Sequence, residues 1–208
     1  MAMTAAKKAQ RAEVLRVGIY LFDKVELLDF AGPCEVFSVT SELNHFGLFQ
    51  VLTVSQDGRP IQTIHGLRVV TDYSFDNHPP IDILVIPGGV GTRSEIKKEK
   101  VLQWISRVNH QAKITMSVCS GAVLLGKLGL LDGLEATTHH EVLDLLQQTA
   151  PRALVMPEKR WTDNGRVMTS GGISAGIDLS LHLVSKFYGQ EVMKKTMAYM
   201  EYGDWRTT

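Results

Sequence analysis

The chain has 208 residues, of which 44% are hydrophobic and 21% charged, and this composition is typical of a globular protein with one full hydrophobic core. Its 22 basic and 22 acidic residues give a formal net charge of zero, which argues against a global attraction to nucleic acid or to an anionic membrane. Two cysteines are too few for a disulfide framework, and no apolar run reaches the ~18 residues that a membrane helix needs. We therefore expect a cytoplasmic protein.

The chain begins with a polar, alanine-rich stretch that lacks the apolar segment of a secretory signal. We expect residues 1–13 to form a flexible leader and residues 14–208 to form one domain. Short apolar runs rich in β-formers predict strands, and apolar residues at helical spacing predict helices. In chain order the predicted elements are a strand at 15–22, a helix at 27–41, a strand at 49–55, a hairpin of 61–64 with 67–71, a strand at 81–86, a helix at 93–111, a strand at 113–118, helices at 121–131 and 141–148, short strands at 153–156, 160–162 and 166–169, a helix after Gly171 and Gly172, and a helix at 190–200.

Strands and helices alternate along this order. Such alternation is typical of an α/β domain in which helices on both faces flank a mostly parallel sheet. We expect the last two short strands to form a hairpin at the sequence Asp163-Asn164-Gly165 and Pro33 to lie near the start of its helix, where a missing N–H is tolerated. The hairpins are interpreted as additions to a single domain.

The segment KITMSVCSGAVLLG places Cys119 between a buried strand and a helix. A run of small residues at such a turn is typical of a nucleophile elbow, which projects the apex side chain away from the sheet. A helix N-terminus also favours the thiolate, so we expect a lowered pKa and alkylation of Cys119 before Cys34. The alternative is that Cys119 only fills the core, as free cysteines often do. Core packing is also the interpretation for Cys34.

A glycine-rich loop follows the neighbouring predicted strand and contains Gly88, Gly89 and Val90. One N–H of this loop and the N–H of Ser120 would make an oxyanion hole. The alternative is a tight turn without a ligand, and the loop lacks the pattern of a phosphate loop.

Asp29 lies in the apolar context LLDFAGP. One interpretation is a helix cap, because aspartate side chains accept N–H bonds there. The other is an acid/base partner of Cys119, whose pKa burial would raise. Glu26 is the nearest competing carboxylate, and we expect it to face solvent.

Two adjacent histidines, His139 and His140, precede a predicted helix, which Thr138 or His139 would cap. His139 is a candidate for the pocket as well as for this structural role. Asp178 and His182 have the spacing of an ordinary surface pair on one helix. No group of residues has the spacing of a metal site, and we expect no cofactor.

Four motifs occur in order: LFDKVELLDFAGPCEVF, DILVIPGG, SVCSGAVLLGKLGLLDGLEATTHH and TSGGISAGIDLSLHLV. Together they resemble the ThiJ/PfpI superfamily, which has the class I glutamine amidotransferase-like, flavodoxin-like fold, over nearly the whole chain. The resemblance favours the elbow interpretation of Cys119. Ser120 stands where intracellular proteases of this superfamily carry a histidine, which argues against that branch. The motifs are similar to isocyanide hydratases and to the amidotransferase-like domain of AraC-type regulators.

The resemblance to the hydratases implies a Cys119 nucleophile, a neighbouring Asp29 carboxylate, a small-molecule substrate and a homodimer. Ser120 keeps the hydroxyl of the hydratase threonine, whereas His140 replaces a tryptophan and leaves the pocket wall open to question. The regulators carry a helix-turn-helix pair after this domain, and because the chain ends at Thr208 we expect a free-standing enzyme without nucleic-acid binding. The alternatives are a non-catalytic ligand sensor and another cysteine chemistry, such as amide or glyoxal hydrolysis.

Overall fold

The structure, a computed structural model, describes residues 13–206. Most of the expected leader therefore lies outside the described residues. Glu13, its last residue, is exposed and forms an ion pair with Lys113 at 3.2 Å.

The domain contains eleven strands within residues 13–206. They are β1 Leu15–Tyr20, β2 Phe49–Ser55, β3 Ile61–Gln62, β4 Arg68–Val69, β5 Tyr73–Ser74, β6 Ile83–Ile86, β7 Ile114–Val118, β8 Glu135–Ala136, β9 Leu154–Val155, β10 Trp161–Asp163 and β11 Val167–Ser170.

Seven of these strands form the central sheet, and their order is β10-β11-β7-β6-β1-β2-β5. All neighbours in this sheet are parallel except β10 and β11. Two small sheets, β3 with β4 and β8 with β9, are separate from it.

Helices flank this sheet and close the core. Every residue of β6 and β7 is buried, as expected for central parallel strands that are covered on both faces. The helices are α1 Leu27–Glu42, α2 Thr92–Glu95, α3 Glu99–Gln111, α4 Gly121–Lys127, α5 Leu143–Thr149, α6 Ala175–Tyr188 and α7 Gln190–Tyr199, and a 3-10 turn precedes α5 at His140–Val142. Helix α1 packs against α6 and α7, and α4 packs against α2 and α5.

The order of the strands determines where a site can form. Strands β11, β7, β6 and β1 are adjacent and parallel, so the loops that follow them meet at one edge of the sheet. The chain passes from β1 to β2 on one side, whereas β6 pairs on the other side of β1. Ligands of open α/β sheets bind outside the carboxyl ends of the strands at such a change of direction.

The expected α/β domain with a mostly parallel sheet is confirmed, and so are both predicted hairpins. The prediction of one helix over 93–111 is wrong, because the backbone of Lys98 is extended between α2 and α3. The break leaves Glu95 buried, where it accepts hydrogen bonds from the Tyr20 hydroxyl and the Lys98 ammonium. Ile96 still packs against the core, so the apolar periodicity runs through the break and could not reveal it.

Several finer predictions also need correction. Helix α4 ends at Lys127, short of the expected residue 131, and Pro33 lies inside α1 rather than near its start. Asp178 and His182 do not pair with each other, because Asp178 contacts Arg160 and accepts the Tyr202 hydroxyl, whereas His182 contacts Asp163 at 2.7 Å. Strands β5 and β8 were not predicted, since each has only two residues, one of them polar, and lies outside any apolar run.

Candidate active site

Cys119 lies at the turn between β7 and α4 and has a φ of 56°. A non-glycine residue in this left-handed region is uncommon and is characteristic of strained functional turns. Its N–H donates to the carbonyl oxygens of Ser170 and Gly171 at 3.2 and 3.1 Å, and the Thr138 hydroxyl donates to its carbonyl oxygen at 2.7 Å. These backbone contacts hold the strained conformation in place.

The small residues around Cys119 have a direct steric reason. A Cβ on Gly121 would lie 2.1 Å from the carbonyl oxygen of Ile86, and a Cβ on Gly88 would lie 2.5 Å from the nitrogen of Ser120. The elbow and the loop after β6 are therefore packed backbone against backbone. This close packing requires glycine at both positions.

Asp29 is completely buried in the first turn of α1. Its Oδ2 accepts the N–H of Gly88 at 2.9 Å, and its carboxyl group interacts with the thiol of Cys119. No donor within residues 13–206 forms a well-aligned hydrogen bond with its Oδ1. The N-cap residue of α1 is Glu26, and Asp29 bonds to another segment, so the interpretation of Asp29 as a helix cap is wrong.

The electrostatics of this pair differ from the expectation for Cys119. Burial, followed by the negative charge of Asp29, raises the pKa of the Cys119 thiol to about 12, although the N–H and hydroxyl of Ser120 act in the opposite direction. Burial also raises the pKa of Asp29 to about 7, against the hydrogen bonds from Gly88 and from the thiol. The predicted lowered thiol pKa is therefore wrong, because desolvation and a neighbouring carboxylate outweigh the helix N-terminus. The resting site holds a protonated thiol beside a carboxyl group that titrates near neutrality.

The loop after β6 is tied to the elbow through the Ser120 hydroxyl. Ser120 Oγ accepts the N–H of Gly89 at 3.0 Å and the hydroxyl of Thr92 at 3.2 Å, and Thr92 also donates to the carbonyl oxygen of Gly89 at 2.8 Å. The N–H groups of Gly88 and Gly89 are thus occupied by Asp29 and Ser120. For either N–H to serve in the expected oxyanion hole, its present hydrogen bond would have to break. Otherwise the oxyanion hole would use the N–H of Val90.

Cys119 faces a cleft of about 340 Å³. Apolar side chains form part of its wall, and charged and polar side chains form the rest. The apolar residues are Ile64, Val90, Val142 and Ile173, and the others are Glu26, Gly89, Arg93, Cys119, Ser120, His139 and Glu141. The guanidinium group of Arg93 has no ion-pair partner within residues 13–206.

The two histidines have different positions. His139 lines the cleft of Cys119, and its Nδ1 accepts the N–H of Glu141 at 3.3 Å, which caps the 3-10 turn. A Cβ on Gly172 would lie 2.1 Å from its Cδ2, so the ring rests against a backbone that has no room for a side chain. His140 is exposed and lines an adjoining cleft of about 450 Å³ together with His139.

Sequence reasoning missed three residues of this site. Glu26 was expected to face solvent, yet its side chain is only 19% exposed and lines the cleft. Thr92 gave no signal, because its contact with Ser120 depends on the fold. Ile173 has a φ of 53°, which is strained for a β-branched residue, and its N–H lowers the pKa of Asp29. The double glycine before Ile173 was the available hint of unusual backbone geometry.

Cys34 is half-buried on α1 and packs against the core, which confirms its predicted role.

The described part of the chain contains no group of three His, Cys, Asp or Glu side chains that could hold a metal ion. In the same part of the chain, no helix is long and apolar enough to cross a membrane.

Comparison with known sequences identifies several relatives. The sequence model of the DJ-1/PfpI family matches residues 15–186. The chain is 34% identical over 189 residues to isonitrile hydratase of Pseudomonas putida, which covers 90% of this chain and 78% of the relative. It is 31% identical over 176 residues to the HTH-type transcriptional regulator GbdR of Pseudomonas aeruginosa, which covers 85% of this chain. The chain spans about half of that regulator, 47% of its length.

Solved structures show the same fold. A THiJ/PfpI family protein from Pseudomonas syringae superposes with a TM-score of 0.81 at 24% identity, over 97% of this chain and 82% of that one. Drosophila melanogaster DJ-1beta superposes with a TM-score of 0.78 at 15% identity, over 91% and 99% of the two chains. Because both sequence identities are below 25%, these superpositions are evidence for the fold alone.

Proposed function

Because the chain belongs to the DJ-1/PfpI family, we propose that it is a cysteine-dependent enzyme similar to isonitrile hydratase, which adds water to an isocyanide and gives an N-substituted formamide. The observation that carries the proposal is the buried pair of Asp29 and Cys119 at the end of an accessible cleft. Similarity to an isonitrile hydratase over 90% of the chain supports the same chemistry.

In the first step the Cys119 sulfur forms a bond to the terminal carbon of the isocyanide. The thiol proton passes through the Asp29 carboxylate to that same carbon, and a thioimidate results. A pKa of about 7 for Asp29 suits this role, since a group that titrates near the working pH both accepts and returns a proton. The raised pKa of the thiol is compatible with the step because the proton leaves as the sulfur–carbon bond forms.

In the second step water adds to the thioimidate carbon, and the imine nitrogen gains a proton. The carbon–sulfur bond of the adduct then breaks, the formamide leaves, and the thiol regains its proton. The N–H of Ser120 is a donor for the negative charge that develops on the sulfur as this bond breaks. The cleft's mixture of apolar and polar walls accepts a small organic substituent on the isocyanide nitrogen.

A second candidate is a non-catalytic ligand sensor. Similarity to a transcriptional regulator, at 31% identity, favours it, and a thiol with a pKa of about 12 is not itself poised as a free nucleophile. The third candidate, amide or glyoxal hydrolysis, uses the same elbow. A sensor would bind small molecules in the cleft without converting them.

The test is a hydration assay on a small panel of alkyl and aryl isocyanides, with Cys119→Ala as the control. Formamide production by the wild type, lost in the control, supports the hydratase. Reversible binding of isocyanides without product in either protein would overturn the enzyme proposal and favour the sensor. The proposal also includes a homodimer, a cytoplasmic location and no binding of nucleic acid, which size-exclusion chromatography, fractionation and a low-salt gel-shift titration would test.

A further inference from the structure

Glu26 occupies the N-cap position of α1 without acting as a cap. Its side chain makes no capping hydrogen bond, and its backbone N–H donates to the carbonyl oxygen of Gly88 at 3.0 Å. A glutamate here is therefore not explained by the stability of the helix, because N-caps favour short side chains that reach back to the first turn.

The carboxylate of Glu26 is also largely unpartnered. Its side chain is 19% exposed and lines the cleft of Cys119. Its only ion pair within residues 13–206 is with His65, at 3.9 Å, and this histidine is 74% exposed. A carboxylate that lines a cleft and accepts no hydrogen bond from residues 13–206 is free to accept one from water or substrate, so such a group is a candidate for a function.

The site thus has two carboxylates in different environments: one contacts the thiol, and the other lines the cleft that leads to it. Asp29 is completely buried, with Oδ2 held by Gly88, whereas Glu26 lies in the cleft from which water and substrate arrive. They are close enough for the charge of Glu26 to act on Asp29. Pairs of carboxyl groups in contrasting environments commonly divide acid and base roles between them.

We propose that Glu26 is the general base of the second half-reaction, the hydrolysis of the thioimidate. This inference rests on the proposed function. Glu26 takes a proton from the attacking water as the water oxygen bonds to the thioimidate carbon. Glu26 then returns that proton to the imine nitrogen. It then takes the hydroxyl proton as the carbon–sulfur bond breaks, and this proton passes to the departing thiolate. Asp29 serves the first half-reaction only.

The experiment compares wild type, Glu26→Gln and Glu26→Asp, with Glu35→Gln as a matched control. Glu35 is exposed on the same helix, so its substitution removes the same charge outside the cleft. Each protein is mixed with an isocyanide and followed by rapid quench and intact-protein mass spectrometry. Formation of the adduct on Cys119 raises the mass of the protein by the full mass of the isocyanide.

For Glu26→Gln we expect adduct formation near the wild-type rate, hydrolysis slower by about 100-fold or more, and accumulation of the adduct on most of the protein. Glu26→Asp should restore part of the hydrolysis rate, and Glu35→Gln should behave as the wild type. The role is overturned if the Glu26→Gln protein keeps the wild-type melting temperature and either slows both half-reactions equally or slows neither. If the wild type gives neither adduct nor formamide, the proposed function fails and this inference fails with it.

Discussion

The buried carboxyl group of Asp29, from the first turn of α1, interacts with the thiol of Cys119, from the elbow between β7 and α4. Segments far apart in sequence meet because β1, β6 and β7 are neighbours in the sheet. Each member of the pair affects the other, since the charge of Asp29 raises the pKa of the thiol and the thiol lowers the pKa of Asp29. This relationship gives opposite predictions for two measurements on one variant.

Asp29→Asn should lower turnover and at the same time speed alkylation of Cys119. Asparagine cannot accept and return a proton, so isocyanide hydration should fall by roughly two to four orders of magnitude. Loss of the negative charge also removes a cause of the raised thiol pKa, so more thiolate should be present at pH 8. Turnover is measured as formamide production, and alkylation as the rate of iodoacetamide labelling of Cys119 by peptide mass spectrometry.

Cys34 serves as the internal control for that experiment, because its labelling rate should not respond to Asp29. Slower alkylation of Cys119 in Asp29→Asn would mean that the carboxylate activates the thiol rather than holding its proton. Retained turnover would remove Asp29 from the mechanism. Whether Cys119 is labelled before Cys34 stays a prediction, which now depends on access through the cleft.

Relative to the wild type, the same variant should become more stable as the pH rises. The folded-state pKa of Asp29 is about 7, above the usual value of 3.8, so between these values the folded protein binds a proton that the unfolded chain has released. The wild type therefore loses stability as pH rises from about 4 to about 7, by up to roughly 4 kcal/mol. The melting temperature of Asp29→Asn minus that of the wild type should increase over this window and level off above pH 8.

Differential scanning fluorimetry of both proteins from pH 4.5 to pH 8.5 measures this difference, and other titrations cancel in it. Glu35→Gln is a suitable control, since Glu35 is an exposed carboxylate on the same helix. A difference that stays constant with pH would mean that Asp29 is not held in a desolvated environment.

Much of the fold could be predicted from the sequence because burial leaves a periodic signal. The runs of β6 and β7 are buried on both faces, and such strands are continuous apolar sequences. The break at Lys98 was not predictable, because the apolar periodicity continues through it and the accompanying contact of Glu95 with Tyr20 joins segments far apart in sequence. Local patterns contain no information about such pairs.

The candidate site, like the fold, was predictable in part. The elbow at Cys119 was predictable, since the small residues that its close packing requires follow one another in the sequence between a strand and a helix. The position of Glu26 was not, because its exposure is determined by the loop after β6, whose Gly88 binds the backbone of Glu26. The thiol pKa was predicted in the wrong direction, since a helix N-terminus is visible in sequence and desolvation is not.

Ser120→Ala should destabilise the protein and weaken catalysis together. The variant leaves the N–H of Gly89 without its acceptor and removes one acceptor of the Thr92 hydroxyl. Loss of such a part-buried hydrogen bond costs about 1 kcal/mol, and the loop beside Asp29 should become less ordered. Ser120→Thr keeps the hydroxyl and should retain most of the stability. Urea denaturation of both variants gives the free energies of unfolding, and equal values would contradict the bridging role of Ser120.

Gly172→Ala should act on the cleft through His139. The new Cβ would lie 2.1 Å from Cδ2 of His139, so the ring must move and its bond to the N–H of Glu141 must weaken. If His139 orients the substrate, this displacement should lower kcat/KM by about 10-fold, since misplacement of about 1 Å costs up to 100-fold. A double-mutant cycle with His139→Ala separates this effect from general damage, because Gly172→Ala should cost nothing further once the imidazole is absent. Equal losses in both backgrounds would show instead that the backbone at Gly172, and not His139, supports the site.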